Sequence, residues 1–224
     1  MHRKFKSILL NALTSCALLA SAPMNFAENP QIAVSVYDDA GVPRDTLASA
    51  EGQATKIFQR AGLDVSWLTC VRTNNASCAT ASNEIGGPVH LVLRITPNVA
   101  SSTSDTALGV AYLASDGTGR YGDVFWKRAE DLRRNSKVDL ASILASVMAH
   151  EVGHLLLGSN AHAISGIMQA HWERGELRRI SMGSLLFLPE QGKRMRARMT
   201  QREHLLMSRS ERRATKDLPA SATR

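Results

Sequence analysis

His150-Glu151-Val152-Gly153-His154 is the stretch on which the reading of this chain turns. Two histidines four residues apart on a helix project from one face, so both imidazoles can reach a common point. A glutamate between them can work on a water held there by a metal ion. His150 and His154 are therefore candidate zinc ligands, and Glu151 is a candidate general base. The flanks agree with a helix. From Val138 to Leu157, the residues Leu140, Ile143, Leu144, Val147, Met148 and Leu155 recur at helical spacing and predict a broad apolar stripe. Ser136 is the expected N-cap, with Asp139 three residues on. Gly158 is the expected terminator, because glycine enters the left-handed region without a Cβ penalty.

A catalytic zinc usually has three protein ligands and one open position. His162 follows Gly158 after the short link Ser159-Asn160-Ala161, and the turn Ser165-Gly166-Ile167-Met168 comes next. This order of His-Glu-x-x-His, glycine, histidine and a methionine turn resembles the metzincin superfamily of zinc endopeptidases, nearest to its matrixin branch. The resemblance implies that His150, His154 and His162 bind Zn²⁺, that Glu151 is the base, and that Met168 underlies the metal. The spacing departs from that family, which places the glycine and the third histidine at steps of three. Here Gly158 is four after His154, and His162 is four after Gly158. Thermolysin-like zincins instead take the third ligand from a glutamate on a later helix, roughly twenty residues on. Glu173 and Glu176 stand near that distance. A buried helix whose histidines are merely hydrogen-bonded is the plain alternative, although an inward glutamate without a metal would be costly there.

The chain opens with basic Met1-His2-Arg3-Lys4-Phe5-Lys6, and an apolar stretch runs from Ser7 to Ala22. Residues 1–27 are thus expected to be a secretory signal peptide, cut after Ala22 or Ala27, and the protein secreted or periplasmic. The stretch is short for a membrane span and is interrupted at Asn11. Leu13-Thr14-Ser15-Cys16 also resembles a bacterial lipobox, which would give a lipid-anchored form through Cys16. No membrane span is expected after leader removal. Residues 28–207 then suit one catalytic domain, and residues 208–224 read as a basic, disordered tail. Cys70 and Cys78 flank a polar loop, and export favours a disulfide between them. The formal net charge of +7 includes the leader's Arg3, Lys4 and Lys6. Much of the rest lies near the C-terminus, where no nucleic-acid motif accompanies it, so a solvated helix face is expected and nucleic acid is not a partner.

Along the domain, Ile32 to Val36 alternates as a strand and Thr46 to Ala61 reads as a helix ended by Gly62. Strands follow at Leu63 to Trp67, Val89 to Ile95, Leu108 to Ala114 and Val124 to Trp126. Gly117-Thr118-Gly119-Arg120-Tyr121-Gly122 matches a dinucleotide fingerprint, but a strand follows it rather than a helix, so a hairpin loop is the reading. Asp116 and Asp123 beside it are not expected to hold calcium. A helix begins at Pro189, with Met195, Met199 and Leu206 on one face. The expected fold is α+β and zincin/metzincin-like. It has a twisted mixed sheet of about five strands backed by two long helices, and a mainly helical C-terminal part. The expected function is a secreted zinc metalloendopeptidase, a monomeric hydrolase acting on peptides or proteins. Its substrate would pair with an edge strand at Leu108 to Ala114. The alternative is an exported zinc-binding interaction module without proteolysis.

Overall fold

A computed structural model describes residues 29–70, 89–98 and 106–216. The leader with Cys16, and Cys78, lie outside the described residues, and with Cys78 so does the expected disulfide. Five strands form one mixed sheet: β1 (Gln31–Asp38), β2 (Asp64–Cys70), β3 (Val89–Thr96), β4 (Gly109–Tyr112) and β5 (Tyr121–Phe125). Their order across the sheet is β2-β1-β3-β5-β4. β1 pairs in parallel with β2 and β3, with Ile32 opposite Val65 and Val34 opposite Leu91. β3 and β5 are also parallel, and β4 returns antiparallel to β5 with Ala111 opposite Gly122. The Gly117 to Gly122 stretch is therefore the β4–β5 hairpin connection, and β4 is an edge strand. In β3, buried Val89, Leu91, Leu93 and Ile95 alternate with less buried His90, Val92 and Arg94. That period of two gives the sheet one fully covered face.

The cover is helical. α1 (Arg44–Arg60) buries Leu47, Ala50, Ala54, Ile57 and Phe58 and packs on β2. Beside it, α3 (Leu140–Leu157) packs on β3, β4 and β5. The stripe expected on α3 proves too narrow, because every residue from Ile143 to Leu157 is buried. The sheet, α1, a short α2 (Trp126–Ser136) and α5 (Pro189–Lys216) surround it, so almost every face needs an apolar or paired side chain. Contrary to the expectation that nothing beyond the leader could span a bilayer, α3 is long and apolar enough by composition. However, 83% of that window is buried inside the protein, as for a core helix.

Two boundaries differ from the sequence reading. Trp126 does not end a strand; it opens α2 (Trp126–Ser136), a charged helix in which only Ala129 is buried. Ser136 closes α2 by donating to Leu132 O (2.7 Å), and Lys137 takes a left-handed φ of 60°. The N-cap of α3 is accordingly Asp139, whose carboxylate accepts from Ser142 N at 3.0 Å. Asp139→Ala should cost about 1 kcal/mol, and a melting curve lowered by roughly 2–4 °C would show it. An unchanged melting temperature would mean that packing alone sets the start of α3.

The C-terminal part holds α4 (Arg174–Ser181) and α5 (Pro189–Lys216). α5 continues past Ser208, where the disordered tail was expected to begin. Residues 209–216 contain neither proline nor glycine, so nothing there stops the helix. Met195 and Met199 are buried as expected, and the Leu206 side chain lies outside the described residues. α5 also caps its neighbours. Arg196 donates to Ala61 O at the end of α1, and Arg198 donates to Leu156 O at the end of α3 (3.1 Å). These satisfy carbonyls that a helix C-terminus leaves without partners.

Candidate metal centre

Local folding brings His150, His154 and His162 together. The first two lie on the last turns of α3 and are 8% and 4% exposed. Gly158 then ends the helix at φ 62°, and its N–H returns to His154 O at 2.9 Å. A Cβ there would stand 2.7 Å from the backbone atom Gly117 O, so both the turn and the close approach of the β4–β5 connection favour glycine. The chain after Gly158 folds back over the two rings. His162 sits on this return, with its ring centroid 5.4 Å from that of His150 and 5.0 Å from that of His154. One nitrogen from each of the three rings lies within 4.8 Å of the others, and among the described residues this is the group that can share a metal ion.

The return segment also orients the rings. His150 Nδ1 contacts Ile167 O at 2.7 Å, and His154 Nδ1 contacts Ser159 O at 2.7 Å. A carbonyl oxygen only accepts, so each Nδ1 carries the proton and donates. That leaves a bare lone pair on each Nε2, and these two atoms stand 3.0 Å apart. Two acceptors facing one another repel unless a cation lies beside them. Donor Nδ1 and acceptor Nε2 are the tautomer that metal-ligating histidines take when a backbone carbonyl fixes them. The residues thus fit a divalent metal of the zinc type, which favours imidazole ligands.

Electrostatics point the same way. Burial, the neighbouring His154 and then His162 lower the His150 pKa to about 3, against the bond to Ile167 O, which raises it. Burial lowers the values of His154 and His162 as well. All three are neutral at physiological pH, the form that binds metals. Glu151 is 4% exposed, and burial, helped by the charge of Asp123, raises its pKa to about 8. A carboxylate this costly to ionise is the kind of group that a nearby cation stabilises.

Met168 is buried and lies against the helix at Gly153. It explains Gly153, on which the sequence alone gave no opinion. A Cβ at Gly153 would meet Met168 Sδ and Phe187 Cε1, both at 2.7 Å. Between the two histidines, the helix backbone therefore rests directly on the methionine and the Phe187 ring. The Met168 turn is itself tied down, since Ile167 N donates to Leu186 O (2.9 Å) and Ala163 N to Met168 O (2.8 Å).

The rings and Glu151 open into a cleft of about 580 Å³. One wall is β4, from Leu108 to Ala111. Leu132 of α2 and Val147 of α3 contribute apolar surface, and Trp172 closes the far side with its ring edge-on to His150 at 5.8 Å. Leu132 and Trp172 were not singled out from the sequence, and only a register for α2 and for the turn after Met168 could have found them. Glu173 and Glu176 do not join the site. They form a capping box at the start of α4, where Glu176 Oε2 accepts from Glu173 N at 3.3 Å.

No protein-family model matches this chain, and no curated protein does. Among solved structures it is similar to archaemetzincin from Methanopyrus kandleri, at 13% identity and a TM-score of 0.49, over 79% of this chain and 99% of that one. What the chain's own residues establish is a mixed-sheet fold whose central helix brings three neutral imidazoles and a buried carboxylate to an open cleft.

Proposed function

We propose that this protein is an exported zinc-dependent endopeptidase. The observation that carries the reading is the convergence of His150, His154 and His162 with Glu151 beside them, in a cleft walled by β4, an edge strand among the described residues. His150 Nε2, His154 Nε2 and one ring nitrogen of His162 would hold the metal. Zinc bound there supplies Lewis acidity, which polarises a carbonyl and makes water acidic enough to ionise near neutral pH. Glu151 accepts the water proton on a carboxylate oxygen and delivers it to the nitrogen of the departing amine. The outer edge of β4, which pairs with no other strand among the described residues, would take an extended peptide as a further strand and hold it across the site with little demand on its sequence. Carbonyls of Ser159 and Ile167 keep the two helix-borne rings in the ligating tautomer throughout.

The reading is tested on purified mature protein. Metal analysis should find about one zinc per chain, as a single site requires. Casein or peptide hydrolysis should vanish with a chelator and return with zinc. A zinc-loaded wild type that cleaves nothing would leave an interaction module instead. Ligand assignment has its own outcome. His162→Ala should lower zinc affinity by 10-fold or more, roughly the loss expected at a ligand or its supporting shell, whereas Glu173→Ala and Glu176→Ala should not change it. Zinc lost only in a glutamate variant would restore the thermolysin-like arrangement.

Export belongs to the same proposal and rests on the leader pattern of residues 1–27. Fractionation and N-terminal sequencing that find the protein inside the cell with Met1 intact would remove it. A Cys70–Cys78 disulfide goes with export; Cys70 itself is buried at the end of β2. Non-reducing peptide mapping that recovers both cysteines reduced would dismiss the bridge.

A further inference from the structure

The wall of the cleft has a direction. Gly109 of β4 lies against Glu151, and a Cβ on it would be 2.6 Å from Glu151 Oε1. Past β4, the hairpin reaches the end of α3, where a Cβ on Gly158 would stand 2.7 Å from Gly117 O. The strand edge and its hairpin thus follow α3 from Glu151 to Gly158. That length of helix is about 10 Å, or about three residues of extended peptide. A peptide paired with β4 is led along this path in one of its two directions.

Three arginines stand where the path ends. Arg198 and Arg202 are one turn apart on α5, and Arg120 lies at the foot of the hairpin. Arg198 is fixed by its bonds to Leu156 O and, at 3.2 Å, to Gly117 O. Arg202 is half-buried and has no hydrogen-bond or ion-pair partner among the described residues. Burial, then Arg198, then Arg120 lower its pKa, so like charges crowd one place. The acid nearby answers Arg198 only in part: bonds from Thr118 and then, less, the charge of Arg198 lower the Asp116 pKa. Asp116 is exposed, and its Oδ1 already accepts from Thr118 N (2.8 Å) and Thr118 Oγ1 (2.6 Å). Among the described residues, the lining of the cleft has no lysine or arginine, so selection by positive charge falls to this end.

We propose that Arg120, Arg198 and Arg202 form a subsite that binds a carboxylate of the peptide substrate. The acidic side chain would lie about three to five residues from the scissile bond, on the hairpin side. The occupant is a carboxylate on a peptide because the β4 edge delivers an extended chain there, and guanidinium forks match a carboxylate in two-point geometry. The inference rests on the peptidase reading of the cleft.

The test measures binding, so it stands apart from catalysis. Zinc-loaded full-length mature protein carrying Glu151→Gln is titrated into two labelled peptides that differ only in Glu-Glu against Gln-Gln near one end. Fluorescence anisotropy should show the acidic peptide binding roughly 5- to 10-fold more tightly at low salt, as a few partly exposed ion pairs allow. The preference should fade at about 0.5 M salt, where screening is strong. Arg202→Gln should remove the preference. Arg194→Gln, the same charge change at an exposed site on α5, should preserve it. Equal binding of the two peptides overturns the subsite, and so does an equal loss in both arginine variants, which would mean a general charge effect. Wild-type casein hydrolysis is scored separately: its absence would sink the peptidase reading, while the anisotropy result still decides the subsite.

Discussion

Glu151→Gln should lower peptide hydrolysis by about 10²- to 10⁴-fold while zinc stays bound, the range expected for loss of one general base. Glutamine keeps the shape of the side chain, so the packing against Gly109 survives. It cannot take a proton from water and return it to an amine. Zinc content should be unchanged, because the group of nitrogens that can hold the ion does not include Glu151. A variant that keeps activity within about tenfold would remove Glu151 from the proton transfer, since that little is within the reach of positioning effects.

The same variant has a second signature in metal-free protein. The folded pKa of Glu151 is raised from 4.5 to about 8 by burial and by Asp123. An acid shifted upward holds its proton better when folded than when unfolded. Its contribution to stability is full below the unfolded value and is lost as pH rises toward 8. Wild-type metal-free protein should therefore lose stability between about pH 4.5 and 8 relative to Glu151→Gln. Zinc should shrink the difference, because a cation nearby favours the charged carboxylate. Parallel stability curves without metal would contradict the burial that the structure gives this residue.

The site was legible in the sequence because its parts are close together in it. His150, Glu151 and His154 share one helical face, and Gly158, His162 and Met168 follow within a short return. What could not be read depended on partners far away along the chain. Gly153 is small because Met168 and Phe187 press on the helix from the other side. The α2 helix buries only Ala129, so its sequence has almost no apolar period to display, and its Leu132 enters the cleft unannounced. The α3 helix misled in the opposite sense. A helix enclosed on nearly every side loses the stripe that marks a half-buried one. Glu173 and Glu176 had the spacing of a later ligand, but that spacing also makes a capping box, and the helix start claimed them. Spacing identified which residues were able to meet, and packing decided which of them did.

Gly109→Ala tests the closest of these long-range dependencies. The residue lies in an ordinary extended strand, so alanine meets no backbone obstacle, and the unfolded chain would even favour it slightly. Sterics oppose it. The new methyl carbon would stand 2.6 Å from Asp123 O and from Glu151 Oε1, and 2.7 Å from Glu151 Cγ. Asp123 O is backbone in the neighbouring strand and cannot rotate away. Either β4 moves outward or the Glu151 carboxylate swings toward the cleft, and both change where the base stands relative to the three imidazoles. A displacement near 1 Å at a reacting group costs about 10² in rate, so kcat should fall by that order. Overpacking should also cost about 1–3 kcal/mol of stability. Zinc content should hold, since His150, His154 and His162 lie outside the clash. Gly175→Ala is the control: it sits in the first turn of α4 with open space around it, and should leave activity intact. Should Gly109→Ala retain full kcat, the carboxylate is not held by the strand edge. Positioning of the base would then have to come from the helix alone, and the cleft wall would lose its part in the chemistry.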